Sequence, residues 1–263
     1  MSLVFAAITP HPPVLIPSIG KEAIKKIDKT ILALKKLEED LYLAKPDVLV
    51  IFSPHGTIFP DSFAINVSPE YQTDLRDFGD LSVVQRFKGE VDIAAKISHA
   101  GKQGEIPSSM ITETKLDYGV AVPLHYLLVH LPTLPILPIS PSQLDHKSHV
   151  EFGYLVKEQI MNSNKRVAIL ASGDLSRALT TDAPAGFNPA GAQYDAKIQE
   201  LLMTRNTAGI LQLDQAVLTG AAECGFRVFL MLMGVLRGVN YRYTSYAYEA
   251  PFGVGCLTAQ FEL

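Results

Sequence analysis

Tryptophan is absent from this chain, and cysteine occurs only twice, as Cys224 and Cys256. Two cysteines build neither a disulfide framework nor a Cys-rich zinc site. The expected compartment is therefore a reducing cytoplasm, and any metal falls to histidine and carboxylate. No run approaches the roughly 18 consecutive apolar residues of a membrane helix. The apolar N-terminal stretch lacks a basic flank and runs into His11-Pro12-Pro13, so it does not read as a signal peptide. Basic tracts are also missing, and the formal net charge is −4, which argues against a nucleic-acid partner. There is no internal repeat, low-complexity tract or linker, so residues 1–263 are expected to form one domain. What the chain does have is 48% hydrophobic residues, enough for a full core.

Leu3 to Thr9 is a short apolar run cut off by Pro10-His11-Pro12-Pro13. It reads as a buried strand whose end holds an imidazole on a stiff, non-helical turn. Val48 to Phe52 repeats the arrangement with Ser53-Pro54-His55-Gly56. Between them, Ile24, Ile27, Ile31, Leu34, Leu37 and Leu41 recur at helical spacing, which predicts an amphipathic crossover helix and parallel strands. Further strands are expected at 63–67, 134–139, 166–171, 241–248 and 254–261. Helices are expected at 92–100, 125–130, 149–162, from Asn188-Pro189, and from Gly220 to Arg237. Residues 68–88 read as a long irregular surface segment, a candidate contact with a second copy. The class is α/β: a central twisted sheet, mostly parallel to mixed, with helices on both faces.

Ligands collect at the C-terminal edge of such a sheet, where both histidines would stand. Glu223, in the first turn of an otherwise apolar helix, supplies a carboxylate, although a helix start favours an acid for its own sake. Two histidines and one carboxylate suit non-haem Fe(II), leaving positions open for substrate and dioxygen. Each histidine also fits an ordinary hydrogen-bonded turn residue. Cys224 is expected to pack as a small hydrophobe, with copper or a redox role open if the thiol reaches the site. Asp174 either orients a ligand histidine or, the favoured reading, caps the turn that follows it. His99, His125, His130, His146 and His149 read as surface or packing residues.

Taken in order, ITPHPP (8–13), SPHG (53–56), LDYGVAVPL (116–124), SGDLS (172–176), NPAGAQYD (188–195), AECG (222–225) and YEAPFGVG (248–255) resemble a known superfamily. It is the LigB-like superfamily of class III extradiol ring-cleavage dioxygenases, and within it the AmmeMemoRadiSam/Memo-like branch. The resemblance implies a metal site at His11, His55 and Glu223. It also implies Fe(II), with Zn(II) or another divalent ion as alternatives, a catechol or aminophenol substrate with O2, and a homodimer. Two positions depart from the pattern. Tyr118 and Arg177 stand where active members carry histidines, one of them the acid/base. Arginine stays protonated at working pH and cannot take that role. Three readings follow. In the first, Arg177 and Tyr118 serve a modified ring cleavage, with Arg177 binding a substrate carboxylate or stabilising a superoxide and His125 as a substitute base. In the second, the chain is a metal-binding member without that activity, acting with AMMECR1-type and radical-SAM partners. In the third, it is a pseudo-enzyme with a metal-free cleft, in which His11 and His55 are structural relics.

Overall fold

The computed structural model describes residues 2–81, 84–104 and 106–263. The chain runs β1 (Leu3–Thr9), α1 (Pro17–Gly20), α2 (Asp28–Ala44), β2 (Val48–Phe52), β3 (Phe63–Asn66), β4 (Glu70–Thr73) and β5 (Arg86–Lys88). It continues through α3 (Asp92–Gln103), β6 (Ser108–Ile111), β7 (Lys115–Leu116), α4 (Tyr118–Leu127), β8 (Ile136–Ser140), α5 (His146–Met161) and β9 (Val167–Ser172). It closes with α6 (Pro189–Met203), α7 (Thr207–Leu211), α8 (Gln215–Ala221), α9 (Phe226–Val235), β10 (Arg242–Glu249) and β11 (Cys256–Glu262).

Eight strands form one mixed sheet in the order β10-β11-β1-β9-β2-β8-β3-β6. Its centre, β1, β9, β2 and β8, is parallel, while β11 and β3 run antiparallel on either side. The first crossover therefore joins parallel strands as expected, with β9 inserted between them. No domain boundary interrupts this arrangement, because the last strand pairs with the first.

Every residue of β2, β8 and β9 is buried, as a sheet covered on both faces requires. Alternation splits the strands between two cores. Phe5, Ala7, Leu49, Ile51, Ala168 and Leu170 meet Leu37 and Leu41 of α2 and Val120 and Leu124 of α4. Ala6, Ile8, Val50, Phe52, Ile169 and Ala171 meet the face carrying Phe152, Tyr194, Ile198, Phe229 and Met233.

Three expectations shift. Residues 68–88 are not wholly irregular: β4 and β5 join β7 in a three-stranded sheet around Tyr71 and Phe87, although positions 82 and 83 lie outside the described residues. The helix placed at 125–130 begins at Tyr118, because the Asp117 side chain caps it by accepting from Val120 N–H at 3.1 Å. The last apolar helix begins at Phe226, leaving Glu223 ahead of the first turn. Pro138 is tolerated in a central strand because pairing to β3 covers only Ile139 and Ser140.

Candidate metal centre

Because β1, β2 and β9 are parallel, their following loops meet at one sheet edge. These loops bring His11, His55 and Asp174 together. The β9 loop fixes His11 twice. Asp174 Oδ1 accepts the His11 backbone N–H at 3.0 Å, so Asp174 ties two strand-end loops together rather than capping its own turn. Ser172 Oγ lies 2.9 Å from His11 Nδ1 and donates its own proton to the carbonyl of Gly119. With its proton committed, that hydroxyl accepts from Nδ1–H. His11 is thereby held with Nε2 unprotonated and facing the cluster.

His55 Nε2 lies 3.0 Å from His11 Nε2. Tyr118, delivered by the first turn of α4, stacks on the His55 ring at 4.2 Å, with its hydroxyl 2.8 Å from Nε2. Ser53 Oγ donates to the capping Asp117 at 2.6 Å, which locks the β2 loop to α4. Gly119 is required there, since a Cβ would fall 2.5 Å from Ser53 Oγ.

The third side comes from the segment ahead of α9. Cys224 Sγ lies 3.5 Å from His11 Nε2, and the thiol and both imidazoles offer ligand atoms within 4.8 Å of one another. Cys224 therefore faces the site instead of packing as a hydrophobe. Its approach rests on two glycines: a Cβ on Gly173 would stand 2.4 Å from Gly225 Cα, and Gly225 N–H bonds to Asp174 O at 3.1 Å. Ala222, just before, adopts a left-handed φ of 49°. The Glu223 carboxylate, expected among the ligands, is not in this group; Oε2 accepts from Phe226 N–H at 2.6 Å at the start of α9.

Burial lowers the pKa of His11 to about 3, assisted by the positive charge of Arg177, and burial with the neighbouring His11 lowers that of His55 to about 3. Both rings are neutral, the form that binds metal. Burial raises Asp174 to about 6 and Glu223 to about 7, and it drives Cys224 and Tyr118 upward, so Tyr118 keeps its proton. Asp174 Oδ2 sits 3.6 Å from the unprotonated His11 Nε2. Two imidazoles and a thiol thus converge, with His11 Nε2 unprotonated and the Cys224 thiol still carrying a proton that a bound cation would displace. The N–N and S–N separations are 3.0 and 3.5 Å, and all three ligand atoms lie within 4.8 Å of one another.

Two cavities adjoin the pair. One of about 320 Å3 is lined by Tyr118, Asp174 and Arg177 with walls including Pro12, Phe78 and Phe252. The other, about 670 Å3 and more polar, opens beside His55, Asn66 and Asp117. His125 lines neither; it stands about two helical turns from Tyr118, against Tyr126, with Asp80 as its electrostatic neighbour. A clamp that periodicity could not show holds the Arg177 loop. Asp195 of α6 accepts from Ser176 N–H at 2.7 Å and from the Tyr248 hydroxyl at 2.6 Å, in space that only Gly255 leaves open.

Against known proteins, the family model described as the catalytic LigB subunit of aromatic ring-opening dioxygenase matches residues 5–259. A Clostridium acetobutylicum protein, whose name states no activity, is 31% identical over 97% of this chain; the chain spans 56% of that relative's length. The 2-aminophenol 1,6-dioxygenase alpha subunit of a Pseudomonas species is 25% identical across the whole of both chains. A MEMO1 family protein of Methanosarcina mazei is 25% identical over 70% of this chain and 60% of its own length. The crystal structure of an uncharacterized Escherichia coli protein shares the fold, with a TM-score of 0.69 at 15% identity over 98% of this chain and 99% of that one. No helix among the described residues is long and apolar enough to cross a membrane.

Proposed function

The chain belongs to the family of the catalytic LigB subunit of aromatic ring-opening dioxygenases, and on that basis we propose that it is a metal-dependent protein acting on a single-ring catechol or aminophenol with dioxygen. His11, His55 and Cys224 hold the metal in this reading. The observation that carries it is the convergence of two neutral Nε2 atoms and a thiol sulfur, with His11 fixed as the Nδ1–H form by Ser172. Fe(II) is the ion the chemistry calls for; the thiol also suits Zn(II) or copper. A divalent ion there lowers the pKa of a bound phenol and acts as a Lewis acid. Tyr118 keeps its proton and lines the smaller cavity; its hydroxyl lies 2.8 Å from His55 Nε2, and a metal on that nitrogen would leave the hydroxyl to donate to a bound ligand. Arg177 contributes a fixed positive charge. Pro12, Phe78 and Phe252 shield the ring from water.

The test is anaerobic loading with Fe(II), elemental analysis, then oxygen uptake with catechol and 2-aminophenol. The expected result is about one ion per chain and ring-dependent uptake, both abolished in His11→Ala and His55→Ala. A wild type that retains no metal overturns the proposal.

A second reading keeps the metal and drops the ring opening: a metal-binding protein working with partners in the cytoplasm, either a second copy or AMMECR1-type and radical-SAM proteins. It is favoured by the lining of the smaller cavity, where Tyr118 and Arg177 stand and no histidine serves as a proton acceptor. Metal binding without oxygen uptake supports it. If the missing acceptor is the cause, the Tyr118→His, Arg177→His double variant gains catechol-dependent uptake; an iron-loaded double variant without gain removes that explanation.

A further inference from the structure

Arg177 is the least explained charge near the histidine pair. Its backbone is fixed on both sides, with its N–H donating to Ala221 O at 3.0 Å and its carbonyl accepting from Ala185 N–H at 3.1 Å. Its guanidinium, among the described residues, has no hydrogen bond or ion pair. An arginine fixed by its backbone and left without a partner beside a cavity lacks the acceptor its planar fork is shaped for.

The surroundings define that acceptor. The cavity of about 320 Å3 is at the lower end of the size range of ligand pockets, room for one ring rather than two. Its apolar side is built by Pro13 and Val254 beside Pro12, Phe78 and Phe252. The two carboxylates that line it do not satisfy the guanidinium. Asp174 is engaged by the His11 backbone, and Asp182 is exposed at the rim. Tyr118 and Asp174, which stand 2.8 Å from His55 Nε2 and 3.6 Å from His11 Nε2, line the same cavity as Arg177, so a ligand held there stands next to the histidine pair.

We propose that this cavity selects a single aromatic ring bearing a carboxylate, which the Arg177 guanidinium takes in a two-point grip. This rests on the ring-opening reading and narrows it to aromatic acids: the ring lies between the proline and phenylalanine walls, and its other end is presented to Tyr118 and the histidine pair. The competing role for Arg177 is charge balance for the cluster alone, which predicts no preference among ligands.

Direct binding to the full chain separates the two. Zn(II)-loaded protein, which cannot turn over with dioxygen, is titrated calorimetrically with 3-hydroxybenzoate, its neutral isostere 3-hydroxybenzamide and the cationic 3-hydroxybenzylamine. The acid is expected to bind about 10-fold more tightly than the amide, in keeping with a charge-assisted pair, and the amine more weakly than either. Arg177→Gln is expected to bind acid and amide equally, and Arg177→Lys to keep part of the preference. If Arg177→Gln does not fold, Arg177→Lys against wild type decides. Equal binding of acid and amide by the wild type, tighter binding of the amine, or a preference unchanged by substitution overturns the inference. Zinc content measured on the same samples keeps the two readings apart. Metal retained without acid preference defeats only this inference, whereas no metal defeats the proposed function.

Discussion

His11, at the end of β1, and His149, in α5, are both shut off from solvent, and burial lowers their pKa values to about 3 and about 4. By burial and protonation they are the same kind of residue. Their partners differ. His149 Nδ1 meets Asp145 O at 2.8 Å, and its Nε2 lies 3.4 Å from Ser142 N and 3.2 Å from Ser142 O, so both nitrogens are spent on main chain. His11 spends only Nδ1, on Ser172, and turns Nε2 toward His55 and Cys224. A buried histidine is marked as a ligand by the nitrogen left over, not by the depth of its burial.

The largest expected effect separates these two histidines outright. His11→Ala is predicted to lower bound metal from about one ion per chain to none, while His149→Gln leaves metal content unchanged; elemental analysis after dialysis reads both. Next is the fixing of the leftover nitrogen. Ser172→Ala frees the His11 ring and is expected to weaken metal affinity about 10- to 100-fold, measured by competition with a chelator. Gly173→Ala attacks the opposite side of the site. Its methyl would overlap Gly225, and unfolding in urea should show a loss of about 1–3 kcal/mol, with weaker metal binding as the Cys224 segment moves away.

The pH response sharpens the comparison from the other side. The folded-state value of His149 lies below its ordinary 6.5, so the fold requires the neutral ring. Its stability is present in full above pH 6.5 and is lost as pH falls toward about 4. Between about pH 7 and about pH 4.5 the wild type is expected to lose ~2 kcal/mol more than His149→Gln. The smallest effect is at Glu223. Glu223→Ala removes the acceptor for Phe226 N–H and should cost about 1 kcal/mol with metal retained.

The sheet, the two strand-end histidines and the capped start of α6 are legible in the sequence because they depend on local patterns. An apolar run stopped by prolines around His11 allows few arrangements, and Asn188 before Pro189 caps α6 as expected, accepting from Ala190 N–H at 3.0 Å. The rest depends on distant contacts. Cys224 reaches the histidines because Gly173 and Gly225 let two loops touch, and periodicity carries no trace of that approach. Glu223 stands out in the sequence as the charged neighbour of an apolar helix, while the thiol beside it carries no local signal of its role. Asp174 and Asp195 resemble local turn and helix residues because the backbone donors they serve lie far away in sequence, at His11 and Ser176.

Cobalt substitution puts the most direct question to the centre described above. The protein loaded with Co(II) in place of the native ion is predicted to show a thiolate-to-cobalt charge-transfer band. That band should vanish in Cys224→Ser and persist in Glu223→Gln. A cobalt-loaded wild type without the band, or a band unaffected by Cys224→Ser, would contradict the assignment of the thiol to the metal.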